Sequence, residues 1–130
     1  MSINSKARVF VKRECSARFQ FGGQSYDNVP VLNLGPDGCR IEVPLAFVGG
    51  MVDDSRLEGL ELISQALSMG STGAKVIWVD SAETTQSGLV QAELQFTDAP
   101  SAYRVNVINY VNTMAKAKPQ CVAHDLIGMP

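Results

Sequence analysis

This chain contains several short runs in which polar and apolar residues alternate and which end near glycine or proline. These runs are the feature that most strongly restricts the folds that the chain can adopt. The clearest pair is Val29 to Leu34 and Cys39 to Val43, with Gly35-Pro-Asp-Gly38 between them. In such a turn proline presets φ, aspartate bonds its own backbone, and glycine tolerates positive φ. The pattern therefore predicts a β-hairpin.

Three further segments predict strands. Arg18 to Phe21 alternates and is broken by Gly22-Gly23. Ala74 to Val79 is rich in β-branched residues, and Leu89 to Phe96 alternates throughout. These patterns are typical of strands with one buried face.

A helix is predicted after Pro100, where apolar residues recur at a spacing of three or four. They are Tyr103, Val107, Tyr110, Val111 and Met114. Lys116 and Lys118 suit the carboxyl end of its dipole, and Pro119 ends it. Several short strands and one late helix indicate a mainly β domain, a small antiparallel barrel or sandwich with a helix on one side.

The segment 53–70 fits two structures. An aspartate at 53 or 54 suits a helix cap, and the apolar residues at 57, 60, 63 and 67 fall on one helical stripe before Gly70. Gly59 within that stripe would destabilise a helix by about 1 kcal/mol. The alternative is a strand through Leu60 and Leu62, followed by a loop.

Charge is distributed unevenly along the 130 residues, whose 11 basic and 13 acidic side chains give a net charge of −2. The first 18 residues carry a net charge of +4, and the remainder carries −6. The basic residues of that arm are Lys6, Arg8, Lys12, Arg13 and Arg18. A cationic arm ahead of an acidic body indicates an anionic ligand, and it argues against general binding of polymeric nucleic acid.

Several protein classes are disfavoured by the sequence. Cys15, Cys39 and Cys121 give neither a disulfide framework nor a CxxC metal knuckle, and they predict reduced thiols. No apolar run approaches the ~18 residues of a membrane helix, and the N-terminus lacks a signal peptide, so we expect a soluble, bacterial-type cytoplasmic protein. His124 beside Asp125 is the one histidine, and no HExxH, GxSxG, P-loop or GxGxxG occurs, so we expect neither an enzyme nor a metal site.

Residues with ligand chemistry lie on the arm and on the turn. Arginine forks match phosphate oxygens and the O6/N7 edge of guanine, and asparagine offers a donor and an acceptor to a base edge. Glycines in a turn let a ligand approach the backbone. This chemistry suits a small nucleotide that carries phosphates and purines. The residues are Arg8, Lys12, Arg13 and Arg18 on the arm, and Asn33, Gly35, Asp37 and Gly38 at the turn.

The same segments resemble the PilZ domain family. Val31-Leu-Asn-Leu-Gly-Pro-Asp-Gly-Cys-Arg-Ile41 is similar to its [D/N]xSxxG signature, with Asn33 and Gly38 in their places. The arm arginines resemble its upstream RxxxR element. Lys75 to Val79, Leu89 to Phe96 and the following helix fit its later layout, so the resemblance spans about residues 8–115. It implies a six-stranded antiparallel β-barrel with a C-terminal helix, and a receptor for cyclic di-GMP.

Two differences from the family pattern concern the ligand. Gly35 stands where the signature has serine, and Arg13 and Arg18 have four residues between them rather than three. Arg8 and Lys12 have the shorter spacing, but lysine lacks the guanidinium fork. The resemblance implies that the ligand residues are Arg13, Arg18, Asn33, Gly35 and Gly38, with Arg8, Lys12, Asp37 and Arg40 as additional candidates.

Simpler structural roles are open for the same residues. Arg13 and Arg18 would then be solvated or would contact the acidic body, and the turn would be a plain hairpin turn. Trp78 is expected to pack on the sheet rather than to stack on a ligand. Cys39 is interpreted as a small buried hydrophobic residue.

Two functions follow. The first is a non-enzymatic signalling receptor that binds cyclic di-GMP without a cofactor and acts on an unidentified protein partner. The alternative is a PilZ-like interaction module that binds a protein and no nucleotide, which the two differences favour. A barrel for single-stranded nucleic acid is a third class, which the acidic body and the few arm aromatics disfavour. The predicted organisation is a flexible arm over 1–17, a barrel with its helix over 18–118, and a tail over 119–130.

Overall fold

The structure is a computed structural model, and it describes residues 8–44, 51–65, 67–80 and 88–117. Lys6, Lys118, Pro119 and the segment with Cys121 and His124 therefore lie outside the described residues. The elements, in chain order, are β1 (Val9–Phe10), β2 (Ser16–Phe21), β3 (Gln24–Gly35), β4 (Gly38–Pro44), β5 (Arg56–Ser64), β6 (Leu67–Asp80), β7 (Leu89–Thr97) and α1 (Ser101–Ala117).

Six of these strands close into an antiparallel barrel. Neighbouring strands follow the order β3, β2, β5, β6, β7, β4, and β4 pairs again with β3. The short strand β1 is additional and pairs with the end of β3, with Val9 opposite Leu34 and Phe10 opposite Asn33. The predicted fold class, a six-stranded antiparallel barrel with a C-terminal helix, is confirmed.

The barrel interior is filled by the apolar half of each alternating pattern. Each barrel strand contributes at least one fully buried side chain; examples are Ala17, Val31, Ile41, Leu60, Val76 and Leu94. Burial of this kind is the main stabilising contribution to such a small domain. The hairpin and the strands near 18–21, 74–79 and 89–96 lie where alternation and β-branched residues predicted them.

The helix α1 packs on the barrel through the predicted stripe. Tyr103, Val107, Val111 and Met114 are buried. The Tyr103 ring meets Phe96 edge-on, with 5.3 Å between ring centroids. Tyr110 is half-buried, and its hydroxyl oxygen accepts a hydrogen bond from Ser64 at 3.2 Å. Within the described ranges, no helix has both the length and the apolar character needed to cross a bilayer.

Within the segment 53–70 the strand β5 covers Arg56–Ser64, so the strand alternative through Leu60 and Leu62 is confirmed and the helix alternative is wrong. β5 ends at Ser64 and β6 begins at Leu67, where a loop was expected. Gly59 has a φ of 60° and lies where the β5–β6 register shifts between Leu57 and Leu60. Because this β-bulge adds a residue to the strand, the buried Leu57 and Leu60 are spaced by three, which imitates the start of a helical stripe.

Residues 8–17, which the sequence assigns to the arm, lie along β3. Val9, Val11 and Cys15 are buried. The Val11 N–H donates to the Leu32 carbonyl at 3.1 Å, and the Val31 N–H donates to the Cys15 carbonyl at 3.2 Å. This packing holds Arg8 next to the barrel, while the division of the whole chain at residues 17 and 118 stays a prediction.

Cys15 and Cys39 are buried free thiols, and Cys39 is fully enclosed as expected of a small hydrophobic residue. Burial raises the pKa of Cys15 from its usual 9.0 to about 12, and it also raises the pKa of Cys39. A thiol that ionises in the unfolded chain but not in the folded one makes stability fall as pH rises. The stabilising contribution is therefore complete below pH 9.0 and is lost progressively above it.

We accordingly expect the free energy of unfolding to decrease between pH 9 and pH 11, with a slope of up to about 1.4 kcal/mol per pH unit for each thiol. The double variant Cys15→Ala/Cys39→Ala should have a shallower slope, although its absolute stability changes with packing. Urea unfolding at a series of pH values measures this. Equal slopes for the two proteins would contradict the assignment.

Candidate functional site

A row of side chains crosses five strands of the sheet near the β3–β4 turn. The register places Phe10 opposite Asn33, Asn33 opposite Arg40, Arg40 opposite Glu93 and Glu93 opposite Trp78. Directly opposed residues of an antiparallel pair project from the same face. Positions that are far apart in the sequence therefore meet on one patch of the barrel.

Arg8 connects the arm to this row. Its Nη1 donates to Asn33 Oδ1 at 2.6 Å, and its Nη2 donates to Glu93 Oε2 at 2.6 Å. The same Nη2 lies 3.8 Å from Asp37 Oδ1. The Arg8 side chain is 17% exposed and Asn33 is 4% exposed. Because water screens these charged hydrogen bonds only partly, they are stronger than those of a surface ion pair.

Glu93 binds a second arginine. Arg40 Nε donates to Glu93 Oε1 at 3.3 Å, so each carboxylate oxygen accepts from one guanidinium. The Arg40 guanidinium also lies over the Trp78 ring, 4.9 Å from its centroid, which is a cation–π contact. Trp78 is half-buried on the sheet, as expected, and it carries this contact as well. We call Arg8, Asn33, Asp37, Arg40, Trp78 and Glu93 the arginine cluster.

Close packing on β7 determines the shape of the turn. The Phe96 N–H donates to the Asp37 carbonyl at 3.0 Å. A Cβ atom on Gly38 would overlap the carbonyl oxygen of Leu94. Gly35 lies opposite Gly38 and is buried as well. Glycine is therefore required at position 38 by the neighbouring strand, rather than by a positive φ.

The other predicted ligand residues lie apart from this cluster. Arg18 on β2 is 53% exposed, and its Nε donates to Glu61 Oε1 at 2.8 Å. This hydrogen bond holds the pKa of Glu61 below its usual value, and it raises the pKa of Arg18. Lys12 Nζ lies 3.4 Å from Glu42, and Arg13 is exposed in the turn over residues 12–14.

Of the nine sequence candidates, the structure joins four side chains, has Gly35 and Gly38 in the adjoining turn, and leaves three elsewhere. It brings Arg8, Asn33, Asp37 and Arg40 together. It places Lys12, Arg13 and Arg18 against other partners or in solvent, so their assignment to the ligand stays a prediction. In the structure Arg18 contacts the acidic body through Glu61, which is the simpler role considered for it.

Glu93 was missed by sequence reasoning. It lies 85 residues from Arg8 in the chain. The alternation of Leu89 to Phe96 places it correctly on the polar face of its strand but names no partner. The one available signal is that Glu93 is the only acidic residue of that face, between Gln91 and Gln95.

No family model and no curated protein matches this sequence. Solved structures do match. MrkH of K. pneumonia in its apo state aligns over 92% of this chain and 53% of its own, with a TM-score of 0.72 and 13% identity. The PilZ domain of YcgR from Escherichia coli, solved with c-di-GMP, aligns over 87% of this chain and 94% of its own, with a TM-score of 0.62 and 12% identity.

A third match is the inhibitor of motility MotI/DgrA of Bacillus subtilis, which aligns over 91% of this chain and 54% of its own, with a TM-score of 0.64 and 12% identity. The chain therefore has a PilZ-like fold, as the sequence resemblance implied. It spans about half the length of the MrkH chain. The absence of a family-model match is consistent with the altered signature around Gly35.

Proposed function

We propose that this domain is a receptor for cyclic di-GMP and that it binds the dinucleotide at the arginine cluster. The observation that carries the proposal is the Arg8 fork, which contacts Asn33 of the signature turn beside a second arginine, Arg40. The fold supports it, because the YcgR domain and MrkH, which share that fold, were both solved with c-di-GMP.

The phosphates of the dinucleotide match the two arginines. A guanidinium offers paired N–H donors to phosphate oxygens or to the O6/N7 edge of guanine. Arg8 and Arg40 already converge on one carboxylate, with hydrogen bonds of 2.6 Å and 3.3 Å. Because Glu93 holds the two guanidiniums close together, a phosphate that takes its place binds them at a lower entropic cost than it would bind flexible arginines.

The guanine bases match the rest of the cluster. Arg40 has one face on Trp78, and its side chain is about one-third exposed. A guanidinium also stacks on the planar rings of bases, so Arg40 is the cluster's candidate for contact with a guanine. Asp37 is half exposed, and its carboxylate accepts hydrogen bonds of the kind that the N1 and N2 groups of guanine donate. Phosphate and guanine contacts thus lie on one patch.

We propose binding without a chemical step. The arginine cluster offers what binding needs, two guanidiniums that donate hydrogen bonds and two carboxylates that accept them. The role that fits is a receptor whose occupied surface is read by a protein partner, and that partner stays unidentified.

Calorimetric titration of the whole chain with cyclic di-GMP tests the proposal. We expect a saturable heat, and we expect cyclic di-AMP to bind at least about ten-fold more weakly, because adenine lacks the O6 acceptor that arginine reads in guanine. No heat at high micromolar dinucleotide would contradict the proposal and would favour the alternative, an interaction module that does not bind nucleotide.

A further inference from the structure

We propose that Glu93 is an internal competitor for the ligand phosphate and that its carboxylate determines how tightly the arginine cluster binds an anion. This inference rests on the proposed function. It adds a residue that sets the affinity, and that residue belongs to neither the arm nor the turn motif.

The geometry of the Glu93 carboxylate supports this role. Oε2 accepts from Arg8 at 2.6 Å and Oε1 accepts from Arg40 at 3.3 Å. A phosphodiester likewise presents two anionic oxygens on one central atom, so it can accept the same two donors. Both anions therefore require the same guanidinium N–H groups, and an arriving phosphate has to displace the carboxylate.

The charge of the cluster makes this displacement costly. Arg8 and Arg40 supply two positive charges, and Glu93 and Asp37 balance them with two negative charges. Of the two carboxylates, Glu93 is the closer and the less exposed, since its side chain is 15% exposed and that of Asp37 is 51% exposed. An incoming dianion thus meets a cluster without net charge, and Glu93 is the carboxylate of the two that lies nearer to the guanidiniums.

The backbone keeps Glu93 in this position. It lies in the middle of β7, paired with β4 through Arg40 and with β6 through Trp78. A residue between two paired strands moves only by rotation of its side chain. The carboxylate therefore stays beside any bound ligand and repels it in the occupied state as well.

The variant Glu93→Gln removes the charge and keeps the size and one oxygen acceptor. We expect it to bind cyclic di-GMP about ten-fold more tightly than the unmodified protein, which is the typical effect of one charged hydrogen bond. The matched control is Glu61→Gln, which removes a carboxylate that accepts from a different arginine, Arg18, at 2.8 Å. That control should change the affinity by less than about two-fold.

Calorimetry on the three proteins separates the outcomes. Tighter binding by Glu93→Gln alone supports the inference. Equal or weaker binding by Glu93→Gln, or an equal gain in Glu61→Gln, overturns it and leaves the proposed function intact. No binding by either the unmodified protein or Glu93→Gln overturns the proposed function along with the inference. If Glu93→Gln fails to fold, Glu93→Asp serves instead, because its shorter carboxylate cannot reach both guanidiniums, and it too should bind more tightly.

Discussion

Replacing Gly38 with alanine is expected to reduce the free energy of unfolding by about 3 kcal/mol or more. The added Cβ would overlap the carbonyl oxygen of Leu94, which is backbone of the paired strand β7. Neither strand can move away, because Leu94 is fully buried and both strands are paired on two sides. Overpacking against backbone belongs to the costly end of small-to-large substitutions. Urea or thermal unfolding measures the effect.

The matched control is Gly59→Ala. Gly59 has a φ of 60°, but a Cβ there would meet nothing within 4 Å. Alanine at that position should cost about 1–2 kcal/mol of backbone strain alone. A smaller loss of stability for Gly38→Ala than for Gly59→Ala would show that the turn and β7 are not packed as closely as the structure has them.

Replacing Arg8 with alanine is expected to weaken the binding of cyclic di-GMP by about ten- to a hundred-fold. The substitution removes the guanidinium that links the arm to the turn, and a charged hydrogen bond of this kind contributes about 1.5–3 kcal/mol. Arg8→Lys should restore little of the affinity, because an ammonium keeps the charge but has no fork. Calorimetry measures the affinities, and circular dichroism verifies that the variants remain folded.

Arg18→Ala is the contrasting variant for this prediction. Arg18 forms its hydrogen bond with Glu61 on β5, and among the described residues it shares no hydrogen-bond partner with the arginine cluster. Its removal should therefore change the affinity by less than about three-fold. If Arg18→Ala weakened binding as much as Arg8→Ala, the ligand would contact Arg18, as the family resemblance implies, and a site confined to the arginine cluster would be wrong.

The alternating pattern was sufficient to predict the barrel wherever the strands are regular. The hairpin around Gly35 to Gly38 and the strand from Leu89 onward needed only period-two alternation and turn residues. For the segment 53–70 the sequence does not distinguish a helix from a strand. The reason is the bulge at Gly59, which changes the spacing between the buried Leu57 and Leu60 from two to three. Bulges depend on the partner strand, and a single sequence does not show which strand that is.

Only part of the site could be predicted, because some of its residues also depend on which strands pair. Asn33 follows from the signature turn, which is local in sequence, and Asp37 and Arg40 are additional candidates beside it. Arg8 was only an additional candidate, since its place depends on the pairing of β1 with β3 rather than on arginine spacing. The position of Glu93 in the site depends on the pairing of β7 with β4. These strands are far apart in the sequence, and a local pattern does not show that they pair.

The position of the ligand is tested most directly through Trp78, the only tryptophan of the chain. Its indole N–H gives a single signal in a nitrogen–proton NMR spectrum, and its ring lies 4.9 Å from the Arg40 guanidinium. On titration with cyclic di-GMP we expect saturable shifts of this signal and of the Arg8 and Arg40 Nε–H signals, while that of Arg18 stays in place. A saturable shift of the Arg18 signal with an unchanged Trp78 signal would contradict binding at the arginine cluster, and so would unchanged spectra at high micromolar dinucleotide.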